Sequence, residues 1–528
     1  MEQLPIKMKT IRIAIAYLLF MSTVHAQEAR SYSVYLTAKE NVQQLQNPHQ
    51  FLSERSLLRR EKQKIRVKLA DLPVSTERLH AIDNIVTYKG PQSKWLNAVY
   101  VEATAEEVVA LTELSFVKEI VPVSGHTFTT TTIKPVLDHG IAAGQANQIS
   151  LIEGLHGFSY VGVGKLIAVL DAGFVGANAV DYSDYGEVIA TRNFVEGGTN
   201  VYQGSSHGFS VLSTMAASKE GVFIGTAPWA DYVLIKTEKE LSETPEEMYN
   251  WIAGAEYADS IGADIINSSL GYSEFDDPND NYTVNDLDGR TSIISLGAVA
   301  AARTGMLVVT SAGNAGGGAW DKITMPADAD SILTVGSVNQ YGVVSGFSSR
   351  GYTVDGRVKP NVCARGEGAY VYRPDGTITT ANGTSFSSPI IAGAAACLWE
   401  SAPNASAQDI IKALEVSSSH YYTKNERIGY GIPNMKFARY YLSSNPGTEI
   451  VVYPNPFPDH LIFFLPDDNT TAIQLELRDL YGRVVAGETV TGRQYQFRWV
   501  PHEYIAAGTY FLQITRGAKI QVTQVIKI

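Results

Sequence analysis

Apolar runs at 166–170, 232–235, 265–267, 306–310 and 332–335 are short, nearly continuous and rich in Val, Ile and Leu, and helix-length stretches separate them. Strands buried on both faces read this way. Residues 140–445 are therefore expected to form a doubly wound parallel sheet, an α/β unit with helices on each side. Ligands of such sheets bind beyond the carboxyl ends of the strands. The flanking segments follow other patterns. Residues 27–128 combine strand patterns at 33–36, 95–101 and 117–123 with a basic helical stretch at 52–68 and an amphipathic one at 105–114. That predicts a small α+β unit. Residues 124–132 are polar and Thr-rich and predict an exposed linker open to cleavage. Residues 450–528 open with Pro454-Asn455-Pro456. Ile473, Leu475 and Leu477, and later Tyr510, Leu512 and Ile514, alternate with polar neighbours, and Gly482, Gly487, Gly492 and Gly508 punctuate them. Short strands with regular turn signals predict a β-sandwich.

Residues 1–26 stand apart. Lys7, Lys9 and Arg12 precede an apolar run at 13–21, and Val24-His25-Ala26 supplies small residues for cleavage, the layout of a secretory signal peptide. The run is too short to anchor the chain, and no later stretch reaches the ~18 apolar residues of a spanning helix. A chain of 528 residues has room for three or four domains. With 45% apolar and 18% charged residues it is not extensively disordered. A net charge of -12 without a basic stripe argues against nucleic acid as a partner. Cys363 and Cys397 lie among apolar or small residues. Buried free thiols are expected, one disulfide is the alternative, and the lack of a CxxC pair argues against zinc.

Four segments could carry chemistry. Asp171-Ala172-Gly173 ends a strand, where a carboxylate can be aimed into a cleft; alone it reads equally as a turn. Ser205-Ser206-His207-Gly208 opens a helical stretch, and a structural His is its plain reading. Ser311-Ala312-Gly313-Asn314 follows another strand, and its amide could donate to a developing oxyanion or simply make a glycine turn. Gly383-Thr384-Ser385 precedes an Ala- and Gly-rich stretch, which places Ser385 at a helix N-terminus where backbone N–H groups favour negative charge. A Ser N-cap is the alternative. Pro389 is expected within the first turn, where it costs no hydrogen bond. The combination is stronger than its parts. A serine needs a base to become nucleophilic, the base needs a group to hold its tautomer, and the substrate carbonyl needs donors.

With these residues in that order, the central unit resembles a subtilase, the subtilisin-like serine peptidase family. The match rests on Asp171-Ala172-Gly173, His207-Gly208, Ser311-Ala312-Gly313-Asn314 and Gly383-Thr384-Ser385. Gly225-Thr226-Ala227-Pro228 and Lys359-Pro360-Asn361 match flanking segments. Ala172 and Phe209 depart from the usual residues and are positions where local packing could differ. The first unit resembles the prodomain that chaperones and inhibits subtilases. The third is similar to the C-terminal sorting domain of the type IX secretion system, through Tyr453-Pro454-Asn455-Pro456, Asp479-Leu480-Tyr481-Gly482 and Ala507-Gly508-Thr509-Tyr510. That implies a Bacteroidota-type Gram-negative host, partners in the type IX machinery, and a protein secreted or held at the outer-membrane surface.

The resemblance implies a secreted serine endopeptidase made as an inhibited precursor. Ser385 would be the nucleophile, His207 the base, Asp171 its orienting partner, and Asn314 with the Ser385 N–H the oxyanion donors. It also implies that Ser269-Leu270-Gly271 forms an edge strand pairing with an extended protein or peptide substrate, and that Ser311, Ala312, Gly313 and Thr324 belong to the pocket before the cut. No cofactor is required. Asp276, Asp277, Asp280, Asp286 and Asp288 suit either structural calcium or a solvated loop, although their spacing is not that of a 12-residue calcium loop. Glu238, Glu240, Glu243, Glu246 and Glu247 read as a solvated helix start. The other reading is an acidic patch that lines the substrate subsites or holds the basic helix of Arg55, Arg59 and Arg60. A binding protein that keeps the fold without activity is the main rival. An esterase is a weaker one, because Gly-x-Ser-x-Gly is absent around Ser385.

Overall fold

The computed structural model describes residues 30–122, 139–443 and 450–527, apart from 40, 41, 87, 241, 454–456, 458, 470, 492, 493, 502 and 503. The expected signal peptide and the linker at 124–132 lie outside the described residues, as does most of the Tyr453-Pro454-Asn455-Pro456 motif.

Seven parallel strands form the central sheet, in the order Val362–Arg365, Leu333–Val338, Leu307–Ser311, Ile265–Ser268, Leu166–Asp171, Asp231–Lys236, Val188–Asn193. Alternate residues of one strand serve opposite faces. Ile167 and Val169 join helices His207–Ala216 and Thr384–Ser401 in one core, while Leu166, Ala168 and Leu170 join helices Pro245–Ile261 and Ile293–Arg303 in the other. The doubly wound arrangement is as the apolar runs predict. The outermost strands, Val188–Asn193 and Val362–Arg365, were not among them. The first is half exposed, and the second has only four residues, so neither leaves a long apolar run. From Leu166–Asp171 the chain crosses to the outermost strand Val188–Asn193 and returns to Asp231–Lys236 on one side, and then, from Ile265–Ser268, builds outward on the other. The crevice at the carboxyl ends of the neighbours Leu166–Asp171 and Ile265–Ser268 is thus the switch point where α/β sheets place their sites.

The first unit is a four-stranded antiparallel sheet, ordered Tyr88–Ser93, Ala98–Ala103, Arg30–Leu36, Val117–Pro122. Val34, Ile82, Val99, Val101 and Leu111 form its core with helices Thr76–Asp83 and Ala105–Thr112. The strand expected at 95–101 begins only at Ala98, because Lys94 to Asn97 make a turn in which Asn97 takes a φ of 52°. Asn is one of the few residues that tolerates this.

The basic helix, Glu54–Lys62, does not meet the glutamates. It docks at the opposite, C-terminal end of helix Pro245–Ile261. Arg60 donates to both oxygens of Asp259, at 2.8 and 2.9 Å, and to Asp71 at 2.8 Å. Arg59 also pairs with Asp259 and donates to the carbonyl of Ala263, while Arg55 pairs with Asp264 and donates to Gly262 O at 2.8 Å. Unpaired carbonyls and the negative end of the helix dipole explain this choice of site. Further along the same helix Glu256 accepts hydrogen bonds from Ser93 Oγ at 2.7 Å and from the N–H groups of Lys94 and Trp95 at 2.9 and 3.1 Å. Glu246 accepts one from Tyr88.

The third unit packs a three-stranded sheet (Val451–Tyr453, Leu461–Asn469, Gln494–Trp499) on a four-stranded one (Val484–Val490, Ile473–Arg478, Gly508–Arg516, Lys519–Lys527). Leu461, Phe463 and Trp499 meet Leu475, Leu477, Leu512 and Ile514 between them, which is the β-sandwich predicted. Cys363 and Cys397 are buried and unbridged, and burial pushes the Cys363 thiol up to about 12. Among the described residues no helix is long and apolar enough to cross a membrane.

Candidate active site

Asp171 is the last residue of strand Leu166–Asp171 and fully buried. His207 is the first residue of helix His207–Ala216, its side chain 24% exposed. The helix start lies against the strand end because Gly208 lacks a side chain: a Cβ there would sit 2.6 Å from Gly173 O and 2.8 Å from the Asp171 Cβ. His207 Nδ1 is 2.8 Å from Asp171 Oδ1 and 3.1 Å from Oδ2. Burial alone would lower the His207 pKa. The charge and hydrogen bond of Asp171 outweigh it and hold the imidazole above its ordinary value. Phe209 does not disturb this pair: it points into the core, edge-on to Tyr182.

Ser385 is the second residue of helix Thr384–Ser401 and 6% exposed. Its Oγ donates to Ser269 O at 3.4 Å, and no hydrogen bond joins it to His207 among the described residues. Catalytic hydrogen bonds are often long before substrate binds. Pro389 lies beyond the first turn, contrary to the sequence-based expectation. It removes the N–H that would have bonded the carbonyl of Ser385. The Ser269 hydroxyl donates to that carbonyl instead, at 2.8 Å. Ser269 Oγ in turn accepts from the Asn267 amide at 3.3 Å, and Ser388 Oγ donates to Asn267 Oδ1 at 2.9 Å. This relay behind Ser385 was missed: Asn267 stands in no motif, and Ser388, although inside the Gly383–Pro389 segment, carried no assigned role.

Asn314 follows strand Leu307–Ser311. Its Oδ1 accepts from Thr384 N at 2.8 Å and from Thr384 Oγ1 at 3.0 Å. A backbone N–H can only donate, so the carbonyl oxygen is fixed there and the amide hydrogens face elsewhere.

A cleft of about 230 Å³ joins these groups: His207, Asn314 and Ser385 line it with Ser269, Leu270 and Gly271. Ser311, Gly313 and Thr324 line it too, as do Ala172 and Ser205. Ala312 does not. It is buried behind the cleft, its N–H bonded to Val335 O and its carbonyl to Thr324 N. Strand Ile265–Ser268 stops short of Ser269-Leu270-Gly271, so these three are not the edge strand expected. No backbone hydrogen bond joins Leu270 or Gly271 to another described residue, which leaves their N–H and C=O groups open to an extended chain.

The glutamates are not a solvated helix start. Glu238, Glu246 and Glu247 are buried, and Glu238, Glu240 and Glu243 line the cleft. The loop aspartates satisfy local N–H groups: Asp277 that of Asn279, Asp286 that of Thr283, Asp288 those of Arg290 and Thr291, and Asp276 that of Glu243. The acidic trio within metal-binding reach of one another, among the described residues, is Glu238, Glu243 and Glu247.

Comparison with known proteins covers all three units. The profile of the subtilase family matches residues 162–431, that of a Bacteroidota S8 peptidase propeptide domain residues 31–135, and that of a secretion system C-terminal sorting domain residues 451–528. Subtilisin of Bacillus pumilus is 34% identical over 281 residues, 51% of this chain and 91% of its own length. Subtilisin E of Bacillus subtilis (strain 168) is equally similar over 281 residues, and the match spans 66% of it. The structure of an epidermin leader peptide processing serine protease from Staphylococcus aureus superposes with a TM-score of 0.55 over 78% of this chain and 99% of that one. At 16% identity it shares the fold. The chain belongs to the subtilase family of serine peptidases, with a propeptide domain before the peptidase unit and a type IX sorting domain after it.

Proposed function

We propose that the protein is an exported serine endopeptidase, made as an inhibited precursor, that hydrolyses peptide bonds of protein substrates through an acyl-enzyme. The observation that carries this reading is the buried Asp171 carboxylate 2.8 Å from His207 Nδ1, in a cleft that His207, Ser385 and Asn314 share. Rotation of the Ser385 side chain, away from its long bond to Ser269 O, would turn the hydroxyl toward the imidazole that shares its cleft. His207 takes its proton, and Oγ attacks the scissile carbonyl. The oxyanion meets the Asn314 amide hydrogens and the Ser385 N–H at a helix N-terminus. His207 gives its proton to the leaving amine, then activates the water that frees the acyl group, while Asp171 holds its tautomer and balances its charge. The substrate lies extended along Ser269-Leu270-Gly271 and bonds their free backbone groups. Export begins with the signal peptide at residues 1–26 and ends with the sorting domain, which the secretion machinery removes or anchors.

A fluorophosphonate probe tests this directly. It should label the matured protein on Ser385, and Ser385→Ala should abolish both labelling and casein cleavage. Casein cleavage that survives in Ser385→Ala would reject the mechanism.

A further inference from the structure

The cleft has two unlike walls, and the sheet order explains why. Ser269-Leu270-Gly271 leaves the middle strand Ile265–Ser268. On one side strand Leu307–Ser311 leads to Gly313 and Thr324. On the other, strands Leu166–Asp171 and Asp231–Lys236 lead to Ala172 and to Glu238, Glu240 and Glu243. An extended peptide sends alternate side chains to opposite sides.

The glutamate wall is short of positive charge. Glu238, Glu243 and Glu247 bring their carboxyl oxygens within 4.8 Å of one another. Lys239 also lines the cleft, but its Nζ is already paired with Glu246 at 2.7 Å, and Lys236 Nζ is paired with Glu196 at 2.6 Å. Tyr272 donates to Glu238, but Glu243 Oε1 is buried with no hydrogen-bond partner among the described residues. Across the cleft Thr324, only 5% exposed, also has a hydroxyl without a partner. Buried polar groups are ordinarily satisfied. Two orphans facing one cleft leave an occupant to supply their partners, and on the side of the three acids a cation suits that role.

We propose that the Glu238, Glu240 and Glu243 wall is a specificity subsite for a lysine or arginine side chain of the substrate. It would select a basic residue second or fourth before the cut, while the residue next to the cut enters the recess closed by Thr324. The proposal rests on the peptidase reading above. As the ammonium or guanidinium enters, the proton that crowding keeps on the carboxyls passes to solvent, and the carboxylate so formed accepts charge-assisted hydrogen bonds at Glu243 Oε1. Burial comes first among the causes of that protonation, with Glu238 and Glu247 repulsion added, and together they lift Glu243 to about 11.

The test uses quenched peptides of one sequence carrying Lys, Gln or Glu at the second or fourth position before the cut, which mass spectrometry locates. The matured protein should cleave the Lys peptide with kcat/KM about tenfold or more above the Gln peptide, and the Glu peptide least. Glu243→Lys should invert the order of Lys and Glu. Glu240→Lys, at an exposed position of the same wall, should shift it in the same sense should the first variant fail to fold. Equal kcat/KM for the three peptides in the unaltered protein, or an order unchanged in both variants, would overturn the subsite while leaving the peptidase reading intact. No cleavage of any peptide would defeat the peptidase reading itself. A melting temperature raised by calcium but not by sodium at equal ionic strength, in the unaltered protein and not in Glu243→Gln, would make the trio a metal site and end the proposal.

Discussion

The hydroxyl of Ser269 donates to the main-chain carbonyl of Ser385 at 2.8 Å, replacing the helical donor that Pro389 lacks. Ser269→Ala leaves that buried carbonyl without a partner, at a cost of about 1–3 kcal/mol. A lower midpoint in urea unfolding is expected, together with a lower kcat, because the same bond positions the backbone of the proposed nucleophile. An unchanged midpoint and unchanged kcat would show that the carbonyl finds water at no cost.

Asn314 is held by Thr384, so its amide should act mainly in the transition state. Asn314→Ala is expected to lower kcat by ~10²–10³ with little change in KM. Thr384→Val should lose much less, since the Thr384 N–H still holds Oδ1. Steady-state kinetics on one peptide compares the two. A rise in KM as large as the fall in kcat would place Asn314 in ground-state binding instead.

His207 must be uncharged to accept a proton, and Asp171 holds its pKa above the ordinary 6.5. The kcat/KM of the matured protein should therefore climb with pH through a midpoint above 6.5. Asp171→Asn should move that midpoint down and cut the rate by ~10⁴. A midpoint that stays in place after this substitution would mean that some other group titrates.

Glu243 and Glu247, at about 11 and about 7, hold protons that the unfolded chain gives up near 4.5. Burial is the main cause in both. The contribution of these two groups to stability is then greatest below 4.5 and falls as the pH rises through the window up to those values. Glu243→Gln removes the penalty, so it should melt higher than the unaltered protein at pH 8 and lose that advantage by pH 4. Calorimetry at the two pH values measures the difference, and the reverse trend would mean that the cluster is ionised and paired.

Asp259 is fully buried and shared by Arg59, Arg60 and Lys94. Asp259→Asn strands these cations, and breaking a buried pair this way costs about 3–5 kcal/mol. The isolated propeptide domain should bind the matured variant at least ~100-fold more weakly, as titration of residual activity would show. Undiminished inhibition would place the affinity in the Glu256 and Glu246 contacts instead.

The proposed reacting groups were readable in the chain because each stands at a local boundary. Asp171 ends an apolar run, His207 and Ser385 begin helices, and glycines mark every one. The relay through Ser388, Asn267 and Ser269 was not, because its members come from a helix, a strand and a loop and no local rule joins them. The glutamates misled for a related reason. Acids at a helix start suit exposed and buried settings alike, and only the fold of the preceding strand decides that Glu238 and Glu247 turn inward. One alternative reading set Arg55, Arg59 and Arg60 against the acidic run at 238–247, and their actual partners lie at the far end of the helix. The partner of Arg59 and Arg60, Asp259, is a single carboxylate late in a helix that is buried on most sides, where nothing in the local pattern sets it apart.

Helix Pro245–Ile261 begins beside the acidic wall of the cleft and ends in the grip of Arg55, Arg59 and Arg60. The propeptide domain also reaches its first turn, where Tyr88 bonds Glu246, so this one helix carries that domain along its length and, in the proposed reading, borders the substrate at its start. Drift in either contact is constrained by the other, so a lineage that alters what this enzyme eats must also renegotiate how it is kept silent.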